Sequence, residues 1–364
     1  MKISFFDDEP EIFPLQYGGK ARTIVNLATE FAKLPEVEKV TILSRSIFSE
    51  EKEFQKDGVY YVALDDQNTL QRIANEMNEA DILNIHCCSF TFPFIKGKAK
   101  KFYFLHDVLI ATADKGSHLD KSLGGNFDAI IAPSEFAKSV YNKYKKIISG
   151  QTECHVIPRH INNDLFYNLD KNLIYEDKET PDFIKHIVKT YDKILFFPSR
   201  PIDEKGGIYL KEIIAQLDKT MNNYCIVGPF GKDFDLPEKC IDTGWIESDK
   251  LKYYYSISDL TLNLSILPES FSQICIESIC CKTPIVSFKS GNIPSFNELT
   301  DSVILVDKNV ESIIDGIKLG LEMKKNDNKM ADAQKIIENN FGTKKIIQQY
   351  LDLYKMYLEG LNEK

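Results

Sequence analysis

Hydrophobic and polar positions along this chain follow two alternating rhythms. In the first half, short apolar runs recur: KISFFDD, VTILSR, VYYVAL, DILNIHC, FYFLHD, AIIAPS and HVIPRH. Their brevity and their β-branched and aromatic content predict buried strands. Between several of them the apolar positions recur every three or four residues. In KARTIVNLATEFAKL, Ile24, Leu27, Ala28 and Phe31 share one helical face. Such alternation predicts parallel sheets covered by helices. From about Phe166 to Tyr191 the pattern weakens into the polar stretch YNLDKNLIYEDKETPDFIKHIVKTY, with one helix-like piece. It then restarts with KILFFPSR, NYCIVGPF, CIDTGWI, DLTLNLS, PIVSFKS and VILVD. The stretch TKKIIQQYLDLYKMYLEGL reads as one amphipathic helix, with Ile346, Ile347, Tyr350, Leu351 and Tyr354 on one side. No short-period repeat or low-complexity tract interrupts the pattern. Two α/β units of similar build, joined near the middle, are expected.

Length agrees with this division. The 364 residues exceed one comfortable core and suit two domains of ordinary size. A hydrophobic content of 43% and a charged content of 27% fit a soluble globular protein. The net charge of -9 argues against a general nucleic-acid binder. The eight cysteines are scattered, and Cys225, Cys275, Cys280 and Cys281 lie inside apolar runs. The adjacent pairs Cys87-Cys88 and Cys280-Cys281 suit neither an ordinary disulfide nor a zinc knuckle. Buried thiols in a reducing compartment are expected. The opening MKISFFDDEPE turns acidic at once, unlike a secretory signal peptide. No apolar stretch approaches the ~20 residues that span a bilayer. A cytoplasmic protein is therefore expected. Two basic clusters, Lys96–Lys101 and the group Lys143, Lys145 and Lys146, read as a solvated loop and helix face. Their alternative is weak contact with anionic lipid at the inner face of the membrane.

In doubly wound sheets, ligands bind beyond the carboxyl ends of the strands. Gly18-Gly19 precede the first helix, where they fit either a plain turn or a backbone seat for an anion. His106 follows the run FYFL and is either a structural histidine or a cleft residue. The second half opens with KILFFPSRPIDEKGG, placing Arg200 and Lys205 between a strand and a helix N-terminus, where a diphosphate would be held. Gly228 and Gly231 would leave room for a flat ligand, or simply form a turn. In PESFSQICIES, Ser270 and Gln273 fit a capping box, so a helix should start near Phe271. Glu269 would precede that helix and Glu277 would lie inside it, roughly 10 Å further along the axis. That spacing suits two ends of one elongated ligand better than a shared proton. The amides of Phe271 and Ser272 would point out beside Glu269. The plainer alternative for Glu277 is a glutamate favoured by the helix dipole.

Taken together, these pieces resemble the retaining glycosyltransferases of family 4, which have the GT-B fold. The matching stretches are YGGKARTIVNLATEFAK, FLHD, IIAPSEFAKSVY, VIPRHINNDLF, FFPSRPIDEKGG, IVGPFG, TGWIESDKLKYYYSISDLTLNLS and PESFSQICIESICCKTPIVSFKSGNIP. They follow the family's order over most of the chain. The resemblance implies two facing Rossmann-like, doubly wound domains. Residues 1–165 would form the acceptor-binding domain, 166–192 a linker or insertion, and 193–342 the nucleotide-sugar-binding domain. The helix 343–364 would cross back to the first domain. The function implied is transfer of a hexose-type sugar from a UDP- or GDP-sugar to an acceptor hydroxyl. That acceptor would be a glycan, a lipid-linked saccharide or a protein. No metal or other cofactor would be required.

The resemblance also assigns roles. Arg200 and Lys205 would hold the diphosphate, Glu277 the ribose hydroxyls, and Glu269 the donor sugar beside the Phe271 and Ser272 amides. Gly18 and Gly19 would meet the phosphate, and His106 would face the sugar. Gly228, Trp245 and Ile246 would frame the base, and Arg22, Asp107 and Ser134 would lie on the acceptor side. Three departures stand out. Glu269-Ser270-Phe271-Ser272 replaces a glycine-containing version, Ser295 stands where a glutamate is frequent, and Arg159-His160 replaces a common Asn-Gly. The Asp233-Phe234-Asp235 triplet would be a metal motif in the other main glycosyltransferase fold and reads here as a decoy. Two other readings compete: an epimerase-like enzyme acting on nucleotide sugars, and a non-catalytic partner subunit that binds glycan or polypeptide. Retention of Arg200, Lys205, Glu269 and Glu277 favours transfer.

Overall fold

The computed structural model describes residues 1–7, 19–45, 53–65, 69–86, 97–106, 127–145, 152–171, 173–232, 234–235, 237–323 and 327–360. The chain forms two compact units, Met1–Arg159 with Lys344–Lys364, and His160–Thr343. In the first lie β1 (Lys2–Asp7), α1 (Gly19–Ala32), β2 (Lys39–Arg45), β3 (Glu53–Lys56), β4 (Val59–Leu64), α2 (Thr69–Glu79) and β5 (Ile82–Ile85). They are followed by β6 (Lys100–Phe104), β7 (Ala129–Ala132), α3 (Glu135–Lys145) and β8 (Cys154–Val156). The second contains α4 (Asp182–Thr190), β9 (Lys193–Phe196), α5 (Leu210–Leu217), β10 (Tyr224–Gly228), β11 (Cys240–Asp242), α6 (Leu251–Ile257) and β12 (Leu260–Asn263). It continues through α7 (Gln273–Cys280), β13 (Ile285–Phe288), α8 (Ile293–Thr300), β14 (Val303–Val306), α9 (Val310–Met323) and α10 (Asp327–Phe341). The final helix, α11 (Thr343–Leu358), returns to the first unit.

Each sheet is wound outward from its first strand. The second has the order β11-β10-β9-β12-β13-β14, with every neighbouring pair parallel. This is the 3-2-1-4-5-6 order of dinucleotide-binding sheets, with its reversal between β9 and β12. The first sheet runs β3-β4-β2-β1-β5-β6-β7-β8 and reverses between β1 and β5. Its antiparallel member, β3, pairs with β4 across an Asp57-Gly58 turn. Both turn residues have positive φ (50° and 80°), as a two-residue hairpin of this kind requires. The sequence pattern does not predict β3, because EFQK is a mostly exposed edge with no apolar alternation to mark it.

The two units have separate cores. In the first, Phe5, Ile42 and Phe102 of the sheet pack with Ile24, Leu27 and Phe31 of α1 and with Ile346, Tyr350, Leu351 and Tyr354 of α11. Full burial of each large apolar side chain contributes roughly 1.5–3 kcal/mol, which explains why α11 docks by the face its periodicity predicts. The Tyr354 ring lies 5.0 Å from that of Phe102, and its hydroxyl donates to Asn84 Oδ1 at 2.8 Å. Tyr354→Phe is expected to leave that buried acceptor unsatisfied and to lower stability in urea unfolding by about 1–2 kcal/mol. Residues 166–192, expected as a linker or insertion, pack within the second unit. Ile174, Ile184 and Ile187 lie in its core with Phe196, Tyr255 and Phe271. Ile184 and Ile187 are the buried positions of α4, the helix-like piece of this stretch. Among the described residues, no helix is long and apolar enough to cross a membrane.

Candidate active site

The reversal point of the second sheet brings two loops together. The β9–α5 loop carries Arg200 and Lys205, and the β12–α7 loop carries Glu269. Ile266 N donates to Glu204 O at 2.8 Å and joins them. Gly206 (φ +86°) lets the first loop turn against the second, since a Cβ there would collide with Leu264 O. Lys205 then lies 3.1 Å from Glu269 Oε1 and 3.5 Å from Ser265 Oγ. The lysine side chain is 39% exposed and the glutamate 13%, so the cation of this pair is open to solvent while the carboxylate is largely enclosed. Arg200 is exposed and makes no ion pair among the described residues.

Glu269 is also held from the β13–α8 side. Its carbonyl accepts from Asn292 N at 2.9 Å. Gly291 (φ +60°) packs so closely on the Glu269 backbone that a Cβ would meet Glu269 N at 2.5 Å and collide with its carbonyl oxygen. The Phe271 ring is buried, edge-on to Phe296 at 5.3 Å and Phe341 at 5.6 Å. The aromatic in this element is therefore an anchor, and its neighbours' backbone is what the site can use. The amides of Phe271 and Ser272 make no hydrogen bond among the described residues. Burial, reinforced by the nearby Glu269 charge, pushes the adjoining Cys275 thiol up to about 12, so it stays protonated.

The expected capping box does not form. The helix begins at Gln273 with Ser272 as its N-cap, and no side chain caps it. Ser272 Oγ accepts from Asn263 Nδ2 at 3.1 Å, and Gln273 Nε2 donates to His160 O at 3.2 Å. A tertiary partner thus claims Gln273, one of the two side chains that local sequence would have paired. Glu277 lies in the second turn of α7, only 1% exposed, and accepts from Tyr255 Oη at 3.0 Å. Gly228 also differs from expectation. The space beside its Cα is filled by Phe197 O and the Phe230 ring, so protein packing itself requires this glycine. Gly231 borders open space. Its amide and that of Gly244 both donate to Asp242 Oδ1, at 3.1 and 2.9 Å, which ties two loops at the carboxyl ends of β10 and β11. Trp245, 57% exposed, and the half-buried Ile246 follow in the second of these loops. Asp242 had no motif to announce it. Of the Asp233–Asp235 triplet, Asp233 lies outside the described residues; Asp235 pairs with Lys211 at 2.5 Å on the surface.

In the first unit, Gly18 and Asp107 lie outside the described residues. Gly19 opens α1 with nothing within 4 Å of a virtual Cβ, and Arg22 is half-buried in the same first turn. Lys20, which sequence reasoning passed over, meets the fully buried Asp7 at 2.8 Å. His106 follows β6, and both its ring nitrogens have protein partners. Nε2 is 2.6 Å from His86 Nδ1, and Nδ1 is 3.3 Å from Arg159. Burial holds both imidazoles well below the usual histidine range, helped by the cations Lys20 and Arg159 and, for His106, by the His86 ring. Ser134 is an N-cap: its Oγ accepts from Ala137 N at 3.1 Å at the start of α3. Ser134→Ala is expected to cost about 1 kcal/mol in urea unfolding, with Ser134→Asp close to wild type because aspartate caps as well.

Residues 178–336, within the second unit, match the family profile of glycosyl transferases group 1. No curated protein matches the chain in sequence. Solved structures resemble it over almost its whole length. Sucrose-phosphate synthase from Thermosynechococcus elongatus aligns over 97% of this chain and 98% of its own, at TM-score 0.76 and 14% identity. A glycosyltransferase from Rickettsia africae aligns over 100% and 99%, at 0.72 and 21%. HepE from Anabaena, solved with UDP-glucose, aligns over 97% and 99%, at 0.74 and 16%. The chain thus carries the two-domain GT-B fold of these proteins, and its second unit, over residues 178–336, matches the group 1 glycosyl transferases.

Proposed function

We propose that this protein is a retaining glycosyltransferase that moves a hexose-type sugar from a UDP- or GDP-sugar to an acceptor hydroxyl, without a metal ion. The observation that carries the reading is the Lys205–Glu269 pair at the reversal point of the second sheet, with Arg200 exposed in the same loop as Lys205. A diphosphate placed there would meet Lys205, Arg200 and the amides of Phe271 and Ser272. These cations and dipoles would stabilise charge as it develops on the leaving phosphate. The donor C1–O bond breaks, and its electron pair stays with the nucleoside diphosphate. The acceptor oxygen bonds to C1 from the same face, and its proton passes to the leaving phosphate oxygen. C1 carries oxocarbenium character between these events. Glu269 would orient the sugar hydroxyls, and Glu277, braced by Tyr255, would lie on the ribose side. The Gly231 and Gly244 loops would frame the base. HepE was solved with UDP-glucose, so UDP-sugars are the first donors to try.

The test is release of nucleoside diphosphate from a panel of UDP- and GDP-sugars, with and without saccharide, lipid-linked and peptide acceptors. Turnover with one donor, and a product that keeps the donor's anomeric configuration in the presence of chelator, is expected. An inverted product, or activity lost on chelation and restored by a divalent cation, would contradict the mechanism.

A further inference from the structure

Arg159, His106 and His86 form a hydrogen-bonded row at the carboxyl ends of β8, β6 and β5. We infer that Arg159 is a positioning residue that fixes the tautomer of both histidines and so holds His106 in one orientation. A guanidinium can only donate. His106 Nδ1, 3.3 Å from Arg159, must therefore accept and carry no proton. A neutral His106 then bears its proton on Nε2, 2.6 Å from His86 Nδ1, which must accept in turn. His86 is left with its proton on Nε2. The row runs in one direction, and the identity of its first member dictates every later proton.

Packing leaves the rings little freedom. His86 is 3% exposed and lies between Phe5 and Phe104, with ring centroids 5.7 and 4.2 Å away. Adding a proton to either imidazole would set N–H against N–H, or N–H against the guanidinium. Among the described residues, the charged groups that bear on the pair are Arg159 and Lys20, the latter bound to Asp7. From α11, Tyr350 stacks on Phe104, and burial raises its phenol so that it stays neutral. Nothing in this set favours an imidazolium. Where His106 serves sugar transfer, a role that rests on the function proposed above, it acts as a fixed neutral group and not as a proton acceptor.

The test is ring-nitrogen NMR on the full chain labelled with 15N-histidine, with His86→Gln and His106→Gln used to assign two of its six histidines. Wild type is expected to show both rings neutral and protonated on Nε2, without titrating from about pH 5.5 to about pH 8. Arg159→Met should give His106 mixed tautomers or a titration within that window, and Arg159→Lys should restore the Nε2–H form. A wild-type His106 protonated on Nδ1, or titrating normally, overturns the inference, and this reading needs no variant to fold. An Arg159→Met spectrum identical to wild type overturns it too. With an identified donor, Arg159→Met should lower kcat by tenfold or more with KM little changed. Altered tautomers with unchanged kcat would remove the positioning role. Absence of turnover with every donor in wild type would count against the transferase reading, while the spectra still decide the lock.

Discussion

Lys205→Ala is expected to reduce turnover by about 10²–10³-fold while leaving the fold intact. The lysine lies at the carboxyl end of β9, 3.1 Å from Glu269 Oε1, with its side chain 39% exposed. A cation placed where negative charge develops on a leaving diphosphate contributes more in the transition state than in the ground state, so kcat should fall more than donor affinity. A partly exposed ion pair contributes at most about 1 kcal/mol to stability, so urea unfolding should barely move. Glu269 would lose its cation partner, but its backbone would stay pinned by Asn292 and Gly291. An unaltered rate in a folded Lys205→Ala protein would remove Lys205 from the chemistry.

Gly291→Ala is expected to damage stability and turnover together. At φ +60° an alanine is strained, and its Cβ would meet the Glu269 backbone at 2.5 Å or closer. Neither partner can yield as a flexible side chain could, because both contacts are main chain. Overpacking of this kind costs roughly 1–3 kcal/mol, and the positive φ adds to it. The relief available is a displacement of the Glu269 backbone, whose side chain pairs with Lys205. Turnover should therefore fall by about 10²-fold, the scale of a displacement of about 1 Å at a reacting centre. Urea unfolding and steady-state rates on the same preparation check both effects. A variant as stable and active as wild type would show that the Gly291 contact does not set the position of Glu269.

The sheets were legible in the sequence because their strands are buried on both faces and read as continuous apolar runs. The sequence-read runs all overlap strands, and the predicted stripe of α11 is the face that meets Phe31 and Phe102. What escaped detection lacks that periodicity. β3 is a mostly exposed edge. Arg200, Lys205 and Glu269 could be placed in loops beyond strand ends, where doubly wound sheets bind ligands. Local pairing rules failed where tertiary contacts outcompeted them. Ser270 and Gln273 have cap spacing, yet Gln273 turns to His160. Gly228 reads as room for a ligand, yet Phe197 fills it. The Arg159–His106–His86 row joins residues separated by 53 and 20 positions, and no local pattern encodes such a contact.

The central claim is that the second unit seats a nucleoside diphosphate at Lys205 and Arg200. Calorimetric titration of UDP and GDP into wild type, Lys205→Ala and Arg200→Ala tests it most directly. Binding of one nucleotide to wild type is expected, weakened tenfold or more in each variant, as loss of a charge-assisted contact to phosphate implies. Equal affinity in all three proteins, or no binding of either nucleotide to wild type, would contradict the account.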